Sequence, residues 1–143
     1  MSLAAQLLVA TLMVVLTVTA HGYGLMILGR LLQRHLGEVS HEHHEHLTPY
    51  LMAKVVAIVL ALFALHGIDI WLYAALYHFA GATNTFEEAL YFSTFTYSTV
   101  GYSDDILHPG WRIVSAIEGV NGFLLLGWST AFFVSVVARL RRG

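Results

Sequence analysis

The chain has no cysteine and few charged side chains. Its 143 residues include 7 Lys or Arg and 9 Asp or Glu, so charged residues make up 11%, whereas soluble domains carry about 25%. The absence of cysteine excludes disulfides, thiolate zinc sites and cysteine nucleophiles. Nucleophile–base patterns, cofactor motifs and Gly-rich phosphate loops are also missing. We therefore expect neither an enzyme nor a nucleic-acid partner.

Three long apolar stretches dominate what is present. Residues 2–29 carry no charged side chain, residues 55–82 carry only Asp69, and residues 113–138 carry only Glu118. Each stretch exceeds the roughly 20 residues that cross a bilayer. Together with a mean hydropathy of +0.69, they predict an all-α membrane protein with three transmembrane helices.

The basic residues predict its orientation. They cluster after the first stretch and at the C-terminus: Arg30, Arg34, Lys54, Arg139, Arg141 and Arg142. Lys and Arg mark cytoplasmic loops, so we expect a multi-pass protein of a cell membrane, with its N-terminus outside and its C-terminus in the cytoplasm. The mostly acidic connection between the second and third stretches is then external.

A short helix and an irregular polar run are predicted within that connection. Thr85-x-x-Glu88 is a capping-box pattern, which starts a helix at Phe86 that runs to about Ser98. The sequence Ser98-Thr-Val-Gly-Tyr-Ser-Asp104 follows. Irregular backbone at membrane depth occurs where protein buries it or where it lines a water-filled path. Carbonyls aimed at such a path can replace the water shell of a cation, as in the potassium-channel filter Thr-Val-Gly-Tyr-Gly.

Residues 86–138 resemble the pore module of the potassium-channel superfamily, particularly the small prokaryotic ion channels of the two-pore-domain type. The resemblance is carried by Glu88-Ala-Leu-Tyr-Phe-Ser93, Thr96-Tyr-Ser-Thr-Val-Gly-Tyr-Ser-Asp104, Trp111-Arg112, Glu118-Gly119, Gly122 and Leu126-Gly-Trp-Ser-Thr-Ala-Phe132, with Trp71 and Tyr77 before them. It implies a homotetramer, in a prokaryotic inner membrane, that passes potassium down its electrochemical gradient. Each chain would supply a first transmembrane helix (1–29), a cytoplasmic loop (30–50) and a pore domain (51–143).

The resemblance also implies roles for individual residues. The ion-coordinating filter would consist of Thr99, Val100, Gly101, Tyr102 and Ser103. The residues supporting it would be Tyr91, Phe92, Ser98, Asp104 and Glu118. Tyr102 would pack against Tyr91 and Phe92, and Asp104 would anchor the outer end of the filter. Gly122 and Gly127 would form a hinge in the inner helix, and close packing of small residues between membrane helices is a compatible explanation for them.

Two positions depart from the family pattern. Ser103 stands where the family has glycine, and a non-glycine residue at positive φ costs on the order of 1–2 kcal/mol. Phe95 stands where the family often carries a carboxylate behind the filter. A weakly selective or non-selective monovalent cation channel, and a non-conducting channel-like membrane subunit, are therefore alternatives to a potassium channel.

The sequence His41-Glu-His-His-Glu-His46 is a separate candidate site. Its imidazoles, His41, His43, His44 and His46, could bind zinc or nickel. It lacks the spacing of a catalytic zinc site. The tract leaves three interpretations open: a solvated polar loop, a cytoplasmic metal or proton sensor coupled to Lys54 and the outer helix, or an incidental metal-binding tract. A metal-handling membrane protein centred on residues 41–46 is a further alternative for the function of the whole chain. Potassium ions and the lipid bilayer are the other expected partners, and no resident cofactor is expected.

Two polar side chains also interrupt the second stretch. His66 and Asp69 are three residues apart and lie on one face of a helix. They predict a polar pair satisfied within the helix bundle, with a gating role as the alternative.

Overall fold

The computed structural model of the chain describes residues 1–36, 49–101 and 106–140. Within these ranges all regular structure is helical: α1 (Leu3–Leu36), α2 (Pro49–Phe79), α3 (Phe86–Tyr97) and α4 (Arg112–Leu140), with a 3-10 turn (Pro109–Trp111) before α4. Three of the helices, α1, α2 and α4, are long and apolar enough to cross a membrane. The prediction of three candidate membrane-spanning helices is therefore confirmed.

The second helix ends earlier than the apolar stretch that predicted it. The stretch continues to Ala82, but α2 ends at Phe79. Gly81 has φ +69°, its N–H donates to the carbonyl of His78 (3.1 Å), and the Ala82 N–H donates to that of Tyr77 (2.8 Å). These two bonds around a left-handed glycine form a Schellman motif. The cap ends α2 because it satisfies the last carbonyls of the helix.

The start of α3 agrees with the capping-box prediction. Thr85 Oγ1 accepts from the Glu88 N–H at 3.1 Å, and Glu88 Oε2 accepts from the Thr85 N–H at 3.3 Å. Each side chain thus satisfies a donor that the helix leaves unpaired. The helix begins at Phe86 and ends at Tyr97, one residue before the predicted end.

The helices α1 and α4 run in the same direction. Three hydrogen-bonded pairs advance together along both: Gln6 with Ile113, Thr17 with Asn121, and His21 with Ser129. The helix α2 runs the opposite way, since Tyr77 contacts Glu118 and Tyr73 contacts Asn121. The starts of α1 and α4 and the end of α2 therefore lie at one end of the bundle.

The larger core cluster surrounds α3 at that end. The ring of Tyr77 meets the rings of Phe92 (5.6 Å between centroids) and Trp111 (6.0 Å) edge to face, an arrangement that aromatic pairs prefer. A smaller cluster at the opposite end joins α1, α2 and α4. Large apolar side chains such as Leu60 and Phe63 remain exposed on the helix surfaces, as suits helices that face acyl chains.

Candidate functional site

The chain leaves α3 in a tight turn. Three backbone N–H groups point back to the last turn of the helix: Ser98 to the Thr94 carbonyl (3.1 Å), Thr99 to Thr96 (3.0 Å) and Gly101 to Phe95 (3.1 Å). These bonds hold the first residues of the predicted filter against the C-terminus of α3. Ser98, a predicted support residue, is the C-cap of this helix.

Two residues of this turn have left-handed backbones. Thr99 has φ +62° and Gly101 has φ +64°, on either side of Val100. Glycine adopts this conformation without penalty, whereas a β-branched residue there is an outlier that costs about 1–2 kcal/mol. Backbone strain of this kind concentrates at functional sites. The sequence did not reveal the strain at Thr99, because residue type alone favours an ordinary backbone there.

The turn lies on the surface of the single chain. Val100 is 66% exposed, and Thr99 and Gly101 line a groove of about 290 Å³ against the first half of α4, together with Arg112 and Gly119. The remaining predicted filter residues, Tyr102 and Ser103, and the predicted anchor Asp104 lie outside the described residues. Their roles stay predictions.

Glu118 joins three helices. Its side chain is fully buried. Oε2 accepts from the Tyr77 hydroxyl of α2 at 2.6 Å, and Oε1 accepts from the Ser93 hydroxyl of α3. Ser93 Oγ also lies 3.1 Å from the Ile70 carbonyl. The carboxylate thus fixes the middle of α3 between α2 and α4, and a role in supporting a filter stays a prediction.

The two aromatic residues predicted to support the filter point in different directions. Phe92 is buried against Tyr77, whereas Tyr91 is 43% exposed. The ring of Tyr91 lies 4.6 Å from the ring of Phe95. The position where the family often has a carboxylate is thus filled here by an aromatic contact.

The two predicted hinge glycines have different surroundings. A Cβ on Gly122 would overlap the backbone carbonyl of Tyr97, so glycine is needed for the close approach of α4 to the end of α3. A Cβ on Gly127 would meet nothing within 4 Å. The geometry explains Gly122 by packing, and bending at either glycine stays a prediction.

A second polar cluster lies beside the end of α3. It consists of His21, His66, Asp69, Tyr97 and Ser129. Asp69 Oδ2 lies 2.6 Å from His21 Nδ1 and 3.1 Å from the Tyr97 hydroxyl. His66 Nδ1 lies 3.0 Å from that hydroxyl, and His21 Nε2 lies 2.8 Å from Ser129 Oγ.

The prediction of a pair between His66 and Asp69 was incomplete. Both side chains lie within the bundle, but among the described residues their hydrogen bonds go to His21 and Tyr97 and not to each other. His21 was not predicted to belong to this cluster, because it sits alone in a stretch without charges and its hydrogen-bond partners are 48 or more positions away. The histidines of the 41–46 tract lie outside the described residues.

Comparison with known proteins agrees with this architecture. The sequence model of a family described as ion channel matches residues 65–139, which include α3, its turn and nearly all of α4. No curated protein and no solved structure matches the chain. Since the family match covers more than half of the sequence, the chain belongs to the ion channel family.

Proposed function

We propose that the chain is one subunit of a homotetrameric potassium channel, a transport protein and not an enzyme, whose ions pass along Thr99–Ser103. The observation that carries the proposal is the turn after α3. It bears the sequence Thr-Val-Gly-Tyr and has left-handed backbones at Thr99 and Gly101. In a filter of this sequence, backbone carbonyls replace the hydration shell of the ion, and strained backbone of this kind marks functional sites.

The contacts of α3 support its role as a re-entrant pore helix. The ring of Phe86, at its start, lies 5.8 Å from the ring of His78. Tyr97, at its end, reaches His66. Twelve residues of α2 separate these two contacts, a rise of about 18 Å within a hydrocarbon core of about 30 Å. The C-terminus of α3 would thus bring the negative end of its dipole toward the membrane centre, where it favours a cation.

Assembly of four chains follows from the chemistry of coordination. A single chain exposes its turn, and one set of carbonyls cannot surround an ion. Four copies around an axis would close the coordination rings and cover Val100. They would also cover part of the apolar surface of α4, which includes Phe123 and Leu124.

The arrangement of the helices supports an orientation with the turn on the outer side. Arg30, Lys54 and Arg139 lie toward the end of the bundle opposite to the starts of α1 and α4. The positive-inside rule makes that end cytoplasmic. The N-terminus and the start of α3 then lie at the outer face of the membrane, which we propose is a prokaryotic inner membrane.

The test is the reversal potential of the purified protein in a planar bilayer, with potassium on one side and sodium on the other. A value near the potassium equilibrium potential is expected. Robust current that reverses near zero would show that the channel conducts cations without selecting potassium. In that case Ser103→Gly should restore selectivity if the serine is the cause. Absence of current from a protein shown to be tetrameric would overturn the proposal.

A further inference from the structure

The His21–Asp69 cluster contains the donor atoms of a metal site. His21, His66 and Asp69 each offer one ligand atom, and these atoms lie within 4.8 Å of one another. His21 and Asp69 are completely buried, and His66 is partly buried. The cluster draws on α1 and α2, so it forms only when the two helices pack together.

One atom of this cluster lacks a partner. Asp69 Oδ1 is buried and accepts no hydrogen bond from the described residues, whereas Oδ2 is engaged by His21 and Tyr97. An unpaired carboxylate oxygen inside a membrane bundle is costly, and such groups mark functional sites. A cation bound to Asp69 would satisfy the unpaired oxygen.

The hydrogen bonds also fix which histidine nitrogen can bind an ion. The single hydroxyl proton of Tyr97 goes to Asp69, so the tyrosine oxygen accepts from His66 Nδ1–H. A neutral imidazole with its proton on Nδ1 has a lone pair on Nε2. His66 therefore keeps one ring nitrogen with a free lone pair for a metal ion, and Tyr97 orients the ring.

We propose that His21, His66 and Asp69 bind one divalent transition-metal ion of the zinc class per chain. Two imidazoles and a carboxylate suit zinc, nickel or copper, whereas magnesium and calcium prefer oxygen ligands. The ion binds His21 Nδ1 and the unpaired Asp69 Oδ1. The proton between His21 Nδ1 and Asp69 Oδ2 passes to His21 Nε2, which then donates to Ser129 Oγ, so the imidazole stays neutral as a metal ligand. The 2.6 Å hydrogen bond between Nδ1 and Oδ2 is thereby broken.

The surroundings provide outer contacts and an entry path. Tyr97 bonds to His66 and Asp69, and Ser129 bonds to His21. Such outer partners hold metal ligands in orientation. A groove of about 280 Å³ between α2 and α4 is lined by His66 and Ser129. We take this groove as the opening through which an ion reaches the cluster, although its other lining residues, such as Phe63 and Leu126, are apolar.

Metal binding would act on the pore through Tyr97, the last residue of α3. An ion at this cluster ties α1 and α2 to the base of the turn that carries Thr99, so it should change conduction. This consequence rests on the proposed channel function. The binding itself does not, and its test uses no ion flux.

The test starts from a full-length chain in which His41, His43, His44 and His46 are replaced by Gln, so that the histidine tract contributes no ligands. Co²⁺ is titrated into this purified protein, and its absorption spectrum and the ratio of metal to chain are measured. One ion per chain with a tetrahedral spectrum is expected.

Variants in the same background identify the ligands. Asp69→Asn and His66→Gln should each weaken Co²⁺ binding by more than about 100-fold, since loss of an outer partner alone costs about 10–100-fold. Tyr97→Phe should fall within that smaller range. His108→Gln is the matched control, because this histidine is exposed and lies outside the cluster, and it should leave the affinity unchanged.

Three results would overturn the proposal. They are absence of binding in the background protein, unchanged affinity in Asp69→Asn and His66→Gln, and X-ray absorption of the Co²⁺-loaded background protein that shows no imidazole ligands. The last measurement needs no substitution in the cluster, so it decides the question even where a buried variant fails to fold.

Discussion

Gly122 of α4 packs directly against the backbone carbonyl of Tyr97 at the end of α3. A Cβ at position 122 would overlap this carbonyl and lie 2.9 Å from Cγ of the same tyrosine. Gly122→Ala therefore has to push α4 away from the end of α3. We expect it to lower the free energy of unfolding by about 1–3 kcal/mol and to reduce conduction, measured by thermal melting and by current in bilayers.

Gly67→Ala provides the control for that substitution. A Cβ on Gly67 of α2 would meet nothing within 4 Å, so the same added methyl group should leave melting unchanged or slightly improved. Equal melting of the two variants would contradict the packing explanation.

The hydrogen bonds that Glu118 accepts from Tyr77 and Ser93 predict that substitutions of these two residues have coupled effects on stability. Tyr77→Phe and Ser93→Ala each remove one donor from a fully buried carboxylate, and each should destabilise the fold by about 1–3 kcal/mol. Because both donors serve one carboxylate, the double variant should deviate from the sum of the single effects. Denaturation of the four proteins measures this deviation, and Tyr23→Phe, at an exposed tyrosine, should have no effect. Strictly additive losses of stability would contradict the shared hydrogen-bonding of Tyr77 and Ser93 to Glu118.

Substitutions at two glycines should distinguish the cost of backbone strain from an effect on ion coordination. Gly101 and Gly81 have φ +64° and +69°, and a Cβ on either would meet nothing within 4 Å. Alanine at either site should therefore cost about the same, 1–2 kcal/mol. Only Gly101→Ala should also shift the reversal potential away from that of potassium. If the Gly101→Ala channel stayed selective for potassium, Gly101 would not line the ion path.

The absence of cysteine makes orientation directly measurable. Ser2→Cys and Asn84→Cys should react with a membrane-impermeant thiol reagent added outside intact cells. Gly143→Cys should react only after the membrane is opened. Reaction of Gly143→Cys in intact cells, with protection of the other two, would reverse the proposed topology.

The sequence predicted those features that depend on local patterns. Thr85 and Glu88 are three residues apart and form their capping box as expected, and three apolar stretches became three long helices. The end of α2 could not be predicted from hydropathy, because the apolar stretch continues through Gly81 to Ala82, whereas the left-handed backbone of that glycine ends the helix.

The polar clusters could not be predicted in the same way. Whether His21 meets Asp69 depends on how α1 is rotated about its own axis, and a stretch that is apolar throughout gives little indication of that rotation. Glu118 stood out in the sequence as the one charged residue of the stretch 113–138. Its partners Tyr77 and Ser93 became evident only once three helices had packed.

The parallel pairing of α1 with α4 has a consequence for movement. Polar bonds join the two helices at Gln6, Thr17 and His21, all at or before Ser129 of α4. Beyond Ser129 the two helices border a cavity of about 410 Å³, which Phe132 and Arg139 help to line, and they share a core cluster that includes Leu25 and Val136. The part of α4 up to Ser129 is therefore held to α1 by polar bonds, whereas the core cluster beyond it is apolar. In the proposed channel, a permeation gate formed by α4 would belong in this last segment, which can tilt without breaking those polar bonds.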